Sequence, residues 1–139
     1  MIYFLTLLLL ASTLQAMPLE SQEGQDMPGG FFKLSPNDPK VQTTMQAVEV
    51  ELDQRLAQPY HYRLGKVVEA SEQVVAGVRL AVTFQLEETK CRTQEVLKDL
   101  HQCQPSGKTV QCNGLFYYSP MHHTKPLIEI FTCNLPTNL

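Results

Sequence analysis

The sequence predicts an α+β fold in which one long helix packs across a curved antiparallel sheet of four to five strands. One stretch with helical periodicity comes first, segments with two-residue periodicity follow it, and the two kinds of element do not alternate along the chain. Parallel nucleotide-binding folds need strands and helices to alternate, so this segregated order argues against them. The 139 residues are enough for a single domain with a hydrophobic core.

The helix is predicted to begin after Asp38 and to end before Pro59. Asp is a good cap for free backbone N–H groups, and Pro39 fits the first helical position, where its missing N–H is not needed. Apolar residues then recur at steps of three or four: Val41, Met45, Val48, Leu52 and Leu56. Such a stripe is typical of a helix that packs on a core, and Glu49 and Asp53 are predicted to lie on the opposite, solvated face.

The first predicted hairpin follows the helix. Its second strand gives the clearest signal, because apolar side chains occupy every second position of residues 78–86. Residues 60–70 are predicted to form the first strand, with Val68 and Ala70 among the residues on its buried side. The intervening residues 71–77 are few enough for an antiparallel connection.

A second hairpin is predicted near the end of the chain. Residues 110–118 and 127–132 are rich in β-branched and aromatic side chains. The connection between them, residues 119–126, carries a proline near each end, as turns often do. The two hairpins together give the four strands expected after the helix.

The beginning of the chain predicts secretion. Residues 1–16 carry no charged side chain, and an apolar run too short to span a bilayer is followed by small and polar residues. This pattern predicts a signal peptide that is cleaved after Ala16 and a mature protein that is extracellular. Residues 17–27 are predicted to be a flexible arm and residues 28–139 to be the domain, and no second apolar run predicts a membrane anchor.

The charge and the cysteine content of the chain limit the functions and partners that it can have. With 11 Lys and Arg against 14 Asp and Glu, the chain has no excess of positive charge, so neither nucleic acid nor an anionic membrane is a predicted partner. Four cysteines in an oxidising compartment predict two disulfides, in any of three pairings: Cys91, Cys103, Cys112 and Cys133. No CxxC spacing occurs, so no metal or other cofactor is predicted. A hydrolase with Cys91 as its nucleophile is an alternative that needs a free thiol.

The connection inside the first hairpin is apolar where turns are commonly polar. It is Gln73-Val74-Val75-Ala76-Gly77, and such a surface indicates a site for a partner. The stretch fits the Gln-x-Val-x-Gly signature, and the chain resembles the secreted type 2 cystatins. The resemblance extends from Pro28 to Cys133, because a glycine pair, a long helix, the signature hairpin, four cysteines and a late Pro-bearing hairpin follow one another in the family's order.

The resemblance implies a tight-binding, reversible and competitive inhibitor of papain-like cysteine proteases that has no catalytic residue. Such a protein is a wedge of three segments. The resemblance implies that Met27 and Pro28 occupy the non-primed subsites and that Gly29 is the bend at which the arm leaves the cleft. The signature residues Gln73, Val74, Val75, Ala76 and Gly77 would fill the middle of the cleft, and Pro120 and Met121 would touch its primed side.

The resemblance also implies covalent links and an assembly state. Cys91 would pair with Cys103, and Cys112 with Cys133. A monomer is the expected form, and exchange of the first hairpin between two chains would give a domain-swapped dimer.

The late hairpin departs from the family pattern. The family commonly has Pro-Trp there, whereas this chain has Pro120-Met121 and no Trp at all. Loss of a rigid aromatic anchor costs roughly tenfold to a hundredfold in affinity, and the adaptable methionine favours the low end. The following His122 and His123 either contact the protease or are solvated loop residues. The alternative function is a secreted cystatin-like binding protein with little or no protease inhibition.

Overall fold

A computed structural model describes residues 30–122 and 125–136 of the chain. The predicted signal peptide, the predicted arm, Met27, Pro28, Gly29 and His123 lie outside the described residues. The elements are β1 (Phe31–Leu34), α1 (Pro39–Leu56), β2 (Tyr60–Val75), β3 (Gly77–Arg92), a short 3₁₀ helix (Leu100–Gln102), β4 (Pro105–Tyr118) and β5 (Leu127–Cys133). One helix lies on a five-stranded antiparallel sheet, so the predicted fold class is confirmed. In the described part of the chain no helix is both long and apolar enough to span a bilayer.

The helix has the predicted ends and the predicted buried stripe. The Asp38 carboxylate accepts a hydrogen bond from Lys40 N at 2.9 Å, and Ala57 ends the helix in the left-handed conformation. Four stripe residues have no exposed surface: Val41, Met45, Val48 and Leu52. Burial of each side chain of this size contributes about 1.5 to 3 kcal/mol, so this stripe accounts for much of the attraction between helix and sheet.

The five strands follow one another in space as they do in sequence, each antiparallel to the next. Four strands were predicted at given positions, all of them after the helix, and none was predicted before it. The fifth, β1, is an edge strand of only four residues, which is too short to show a period of two, and Phe31 and Phe32 in it are exposed. The β2–β3 connection is shorter than predicted, since Val75 pairs with Gly77 and only Ala76 lies between the strands.

Strand β2 buries Val67, and the prediction that Val68 lies on the buried side was wrong. Irregularities in the β2–β3 register occur between Leu64 and Val67 and between Val67 and Glu69. Each inserts an extra residue and moves the following side chains to the other face. Val67 is 7% exposed and Val68 is 38% exposed. Such bulges increase the bend of a strand, which is how a sheet comes to curve around a helix.

Both disulfides have the sequential pairing that the resemblance implied. Cys91 is bonded to Cys103 beyond the end of the β3–β4 pair, and Cys112 is bonded to Cys133 across β4 and β5. Cys112 and Cys133 are directly opposite each other in the sheet, with Cα atoms 4.0 Å apart. All four cysteines are therefore used. Cys91 is not a free thiol, which removes the hydrolase alternative.

Asp53 is buried, contrary to the prediction that it lies on the solvated face. Its Oδ1 accepts a hydrogen bond from Tyr62 N at 2.6 Å, and its Oδ2 lies 2.6 Å from His61 Nδ1. The other ring nitrogen of His61 lies 2.9 Å from the carbonyl oxygen of Glu95. Burial alone would lower the pKa of His61, but the hydrogen bonds to Asp53 and to the Glu95 carbonyl, together with the Asp53 charge, outweigh it and the pKa is raised. When protonated, the imidazolium ion donates to both acceptors.

A second carboxylate of the helix makes the same kind of link. Glu49 Oε2 accepts a hydrogen bond from Leu64 N at 2.7 Å and lies 2.8 Å from His101 Nε2. Two histidines thus connect α1, through acidic side chains on one side of it, to the segment between β3 and β4. We define the far end of the molecule as the C-terminal half of α1, the start of β2 and residues 91–103. These contacts and the Cys91–Cys103 disulfide link its parts to one another.

Candidate functional site

Strand register places three segments at one end of the sheet. Phe31, the first residue of β1, is opposite Gln73 on β2. The β2–β3 connection ends the longest hairpin, and Tyr118, the last residue of β4, is opposite Val78 on β3. The beginning of β1, residues 73–77 and the start of the β4–β5 loop therefore adjoin one another. We call residues 73–77 the tip and residues 119–126 the late loop.

The tip is uncharged and exposed. Val74 is 54% exposed and Val75 is 37% exposed, and Ala76 is also on the surface. The two valines end β2 beside a turn of one residue, and their exposed apolar surface is available to a partner. The small side chains of Ala76 and Gly77 leave the backbone of the turn open to close approach.

Tyr117 on β4 contacts the tip from the side. Its hydroxyl donates a hydrogen bond to the carbonyl oxygen of Ala76 at 2.7 Å. Gly77 has a φ of 136°, and a Cβ atom added there would lie 2.5 Å from Tyr117 Oη and 2.6 Å from Cε2. Both the conformation and the space require glycine at this position.

Glu72 lies at the base of the tip and is buried. Its carboxylate accepts hydrogen bonds from Lys40 Nζ at 3.0 and 3.2 Å. This hydrogen bond raises the pKa of Lys40 despite the opposing effect of desolvation. Burial, followed by the nearby Glu72 charge, raises the pKa of Tyr118. The first turn of the helix is thus fixed against the strand that carries the tip.

The late loop carries two of the predicted site residues, Pro120 and Met121. Pro120 is exposed, and the Met121 side chain is 85% exposed. Lys125 Nζ contacts Glu51 Oε2 at 3.2 Å, which ties the loop to the helix. The pKa of Glu51 is lowered by its hydrogen bonds to Arg55 and then to Lys125. Between the loop and the first half of α1 lies a groove of about 590 Å³.

Most of the predicted site residues share this end of the molecule. The structure brings together residues 73–77, Pro120 and Met121. It describes the chain from Gly30, one residue before the start of β1, so Met27, Pro28 and Gly29 lie outside it. Tyr117 and Phe31 were not predicted as site residues. Phe31 is 49% exposed and pairs with the first tip residue, and its sequence signal was an aromatic pair after two glycines.

The described residues include no metal-binding group and no free cysteine thiol. No group of three His, Cys, Asp or Glu side chains in residues 30–122 and 125–136 is placed to hold a metal ion. The cysteines are disulfide-bonded. What the site presents is an apolar protruding edge, which suits insertion into a cleft on another protein.

Comparison with known proteins identifies relatives of one kind. The model of the cystatin domain matches residues 29–120. A cystatin from Tropidechis carinatus is 33% identical over 89 residues, which cover 61% of this chain and 63% of that protein. A cystatin from Notechis scutatus scutatus is 34% identical over the same length. The chain thus matches less than two thirds of the length of these relatives.

Solved structures agree in fold. A salivary cystatin from the soft tick Ornithodoros moubata superposes with a TM-score of 0.64 at 20% identity, and the match covers 78% of this chain and all of that one. Dimeric human cystatin F superposes with a TM-score of 0.63 at 17% identity, covering 85% of this chain and 96% of that one. At these identities the likeness establishes the shared helix-on-sheet architecture.

Proposed function

The chain belongs to the cystatin family, whose members are protease inhibitors rather than enzymes, and we propose that it is a secreted, reversible, competitive inhibitor of papain-like cysteine proteases. The observation that carries the proposal is the tip. Five uncharged residues with exposed valines lie at the end of the long β2–β3 hairpin, flanked on one side by the beginning of β1 and on the other by the late loop. A narrow apolar edge of this kind fits a cleft.

The proposed mechanism needs no reacting group. The tip enters the middle of the active-site cleft, and the small side chains at Ala76 and Gly77 allow the backbone to approach the catalytic groups. Pro120 and Met121 add apolar contacts on the primed side, and Met27 and Pro28 occupy the non-primed side, with Gly29 as the bend. The nucleophile is covered while no peptide bond is presented to it in a cleavable position. A preformed hairpin loses little conformational entropy on docking, which favours tight binding.

Two disulfides and the predicted signal peptide support secretion. Disulfides persist in oxidising compartments such as the extracellular space. We propose cleavage after Ala16, an arm of residues 17–27 and a domain that begins at Pro28. Expression of the full chain in cultured animal cells tests this: the protein should accumulate in the medium with Met17 as its first residue. Retention in the cells with Met1 intact would contradict it.

The experiment that tests inhibition is a titration of papain with the oxidised protein from that medium. We expect nanomolar or tighter competitive inhibition, and a Gly29→Glu variant should bind more weakly by at least tenfold because a charged side chain replaces the bend. Gln104→Glu is the matched control, since it adds the same charge at an exposed position next to the far end. Absence of inhibition at micromolar protein with both disulfides intact would exclude the proposal.

A second candidate is a secreted cystatin-like binding protein without inhibitory activity. The observation that favours it is Met121, which stands where the family commonly has Trp and is almost fully exposed. A Met121→Trp variant separates the two: an inhibitor should gain up to about tenfold in affinity, whereas a binding protein should gain no inhibition. Under either function we propose a monomer, and a mass measurement in solution distinguishes it from a domain-swapped dimer.

A further inference from the structure

Tyr117 makes a contact with the tip that the signature motif does not include. It lies on β4, 41 residues from Ala76 in sequence, and its hydroxyl donates to the Ala76 carbonyl at 2.7 Å. Its ring fills the space that any side chain at Gly77 would need, with Oη, Cε2 and Cζ all within 2.7 Å of a Cβ position there. One side chain therefore contacts the single residue of the turn and the residue after it.

The turn itself is short and exposed. Val75 pairs with Gly77, and Ala76 alone forms the turn between them. The side chains of Val74, Val75 and Ala76 point to the surface. Hairpin ends with few buried contacts open locally at low free energy. Tyr117 counters this because its own strand is fixed: it follows Phe116, which has no exposed surface, and it pairs with Arg79 on β3.

We propose that Tyr117 is a positioning residue for protease inhibition, which fixes the tip in the conformation that enters the cleft. The inference rests on the proposed function. Tyr117 acts through Ala76 and Gly77 and does not itself touch the protease. Glycine is then required at position 77 for two reasons: its positive φ, and the space that the Tyr117 ring occupies where a Cβ atom would lie.

The size of the effect follows from the population of the binding conformation. The apparent dissociation constant rises in inverse proportion to the fraction of molecules whose tip has the right shape. Loss of one ordinary hydrogen bond changes the equilibrium constant for tip opening by about fivefold to tenfold, and the dissociation constant rises by at most that factor because it follows the fraction that keeps the binding shape. The global stability is unaffected, because opening of the tip is local.

The test compares Tyr117→Phe with Tyr60→Phe. The first variant keeps the ring and removes the hydroxyl at the tip, and the second makes the same chemical change at the far end, where the Tyr60 ring contacts Arg92. We expect the inhibition constant for papain to rise in Tyr117→Phe, by at most about tenfold, and to stay unchanged in Tyr60→Phe. Both melting temperatures should remain within about 2 °C of the unchanged protein.

A second measurement does not need a protease. Backbone amide exchange of residues 74–78, followed by NMR in the free protein, should be about fivefold to tenfold faster in Tyr117→Phe and unchanged in Tyr60→Phe. If the unchanged protein does not inhibit papain, the proposed function fails and exchange alone decides whether Tyr117 holds the tip. If inhibition is present, an inhibition constant that does not change in Tyr117→Phe overturns the positioning role, and unchanged exchange overturns the contact itself.

Discussion

The tip and the far end lie at opposite ends of the same two long strands and are held by different contacts. At the far end, buried Asp53 bonds to His61 and to a backbone N–H, Glu49 bonds to His101, and a disulfide closes the β3–β4 segment. At the tip, the contacts include the pairing of β2 with β3 and the hydrogen bond from the Tyr117 hydroxyl, and the apolar side chains of Val74 and Val75 are exposed.

The difference shows how stability and binding are separated within a small domain. The far end uses polar groups whose partners lie within the chain, so its contacts stabilise the folded state. The tip leaves exposed apolar surface, which costs stability and, under the proposed function, serves recognition. Substitutions at the two ends should therefore affect different measurable quantities.

The largest expected effect is on binding, from Val75→Asp at the tip. Burial of an unpaired carboxylate in an apolar cleft costs about 4 kcal/mol, so inhibition should weaken about a thousandfold while the melting temperature hardly changes. Val96→Asp is the matched control, because Val96 is fully exposed at the far end. A large loss of inhibition in Val96→Asp would contradict the claim that the far end does not contribute to binding.

Removal of the Cys91–Cys103 disulfide should lower stability without lowering affinity. Chain-entropy arguments give about 3 kcal/mol for a loop of this length, measured as the free energy of unfolding in urea of a variant with alanine at both positions. The inhibition constant, determined well below the melting temperature, should stay within about twofold. An inhibition constant that rises in step with the loss of stability would mean that the two ends are coupled.

Asp53→Ala should lower the free energy of unfolding by about 2 kcal/mol, because the buried N–H of Tyr62 loses its acceptor and His61 loses its carboxylate. Asp99→Ala provides the comparison. Asp99 also accepts a hydrogen bond from a backbone N–H, that of His101, but it is exposed, so its loss should cost less than half as much. Equal costs for the two variants would show that burial of Asp53 does not matter.

The smallest expected effect is a pH dependence of stability at the far end. The pKa of His61 in the folded protein is raised above its ordinary value of 6.5. Its contribution to stability is therefore complete below about pH 6.5 and is lost as pH rises through the folded pKa. The difference in unfolding free energy between the unchanged protein and His61→Gln should shrink between pH 6 and pH 8. A difference that is constant over this range would contradict the assignment, and inhibition should show no such dependence on His61.

The regular elements could be predicted from the sequence because their side-chain periods are regular. The stripe that includes Val41 and Leu52 identified the helix, and alternation over residues 78–86 identified β3. The position of Val68 could not be predicted, because the bulges in β2 depend on how the strand pairs with β3. A four-residue edge strand that begins at Phe31 carries too few positions to reveal a period.

The site could be predicted in part. The signature residues 73–77 and Pro120 are recognisable in the sequence, and register then places them at one end. The burial of Asp53 depends on partners eight and nine residues away that become neighbours only when β2 folds back on the helix. The contact of Tyr117 with Ala76 joins different hairpins, so no local pattern reports it.

The Cys112–Cys133 disulfide has a consequence for the fate of the late loop. The bond encloses residues 119–126 within a covalent ring. A protease that cut the chain beside Pro120 or Met121 would leave both fragments joined through sulfur and paired along β4 and β5. The nicked protein would gain the mass of one water molecule and would separate into two pieces only after reduction. Cleavage within the late loop would therefore leave a single molecule that retains its sheet.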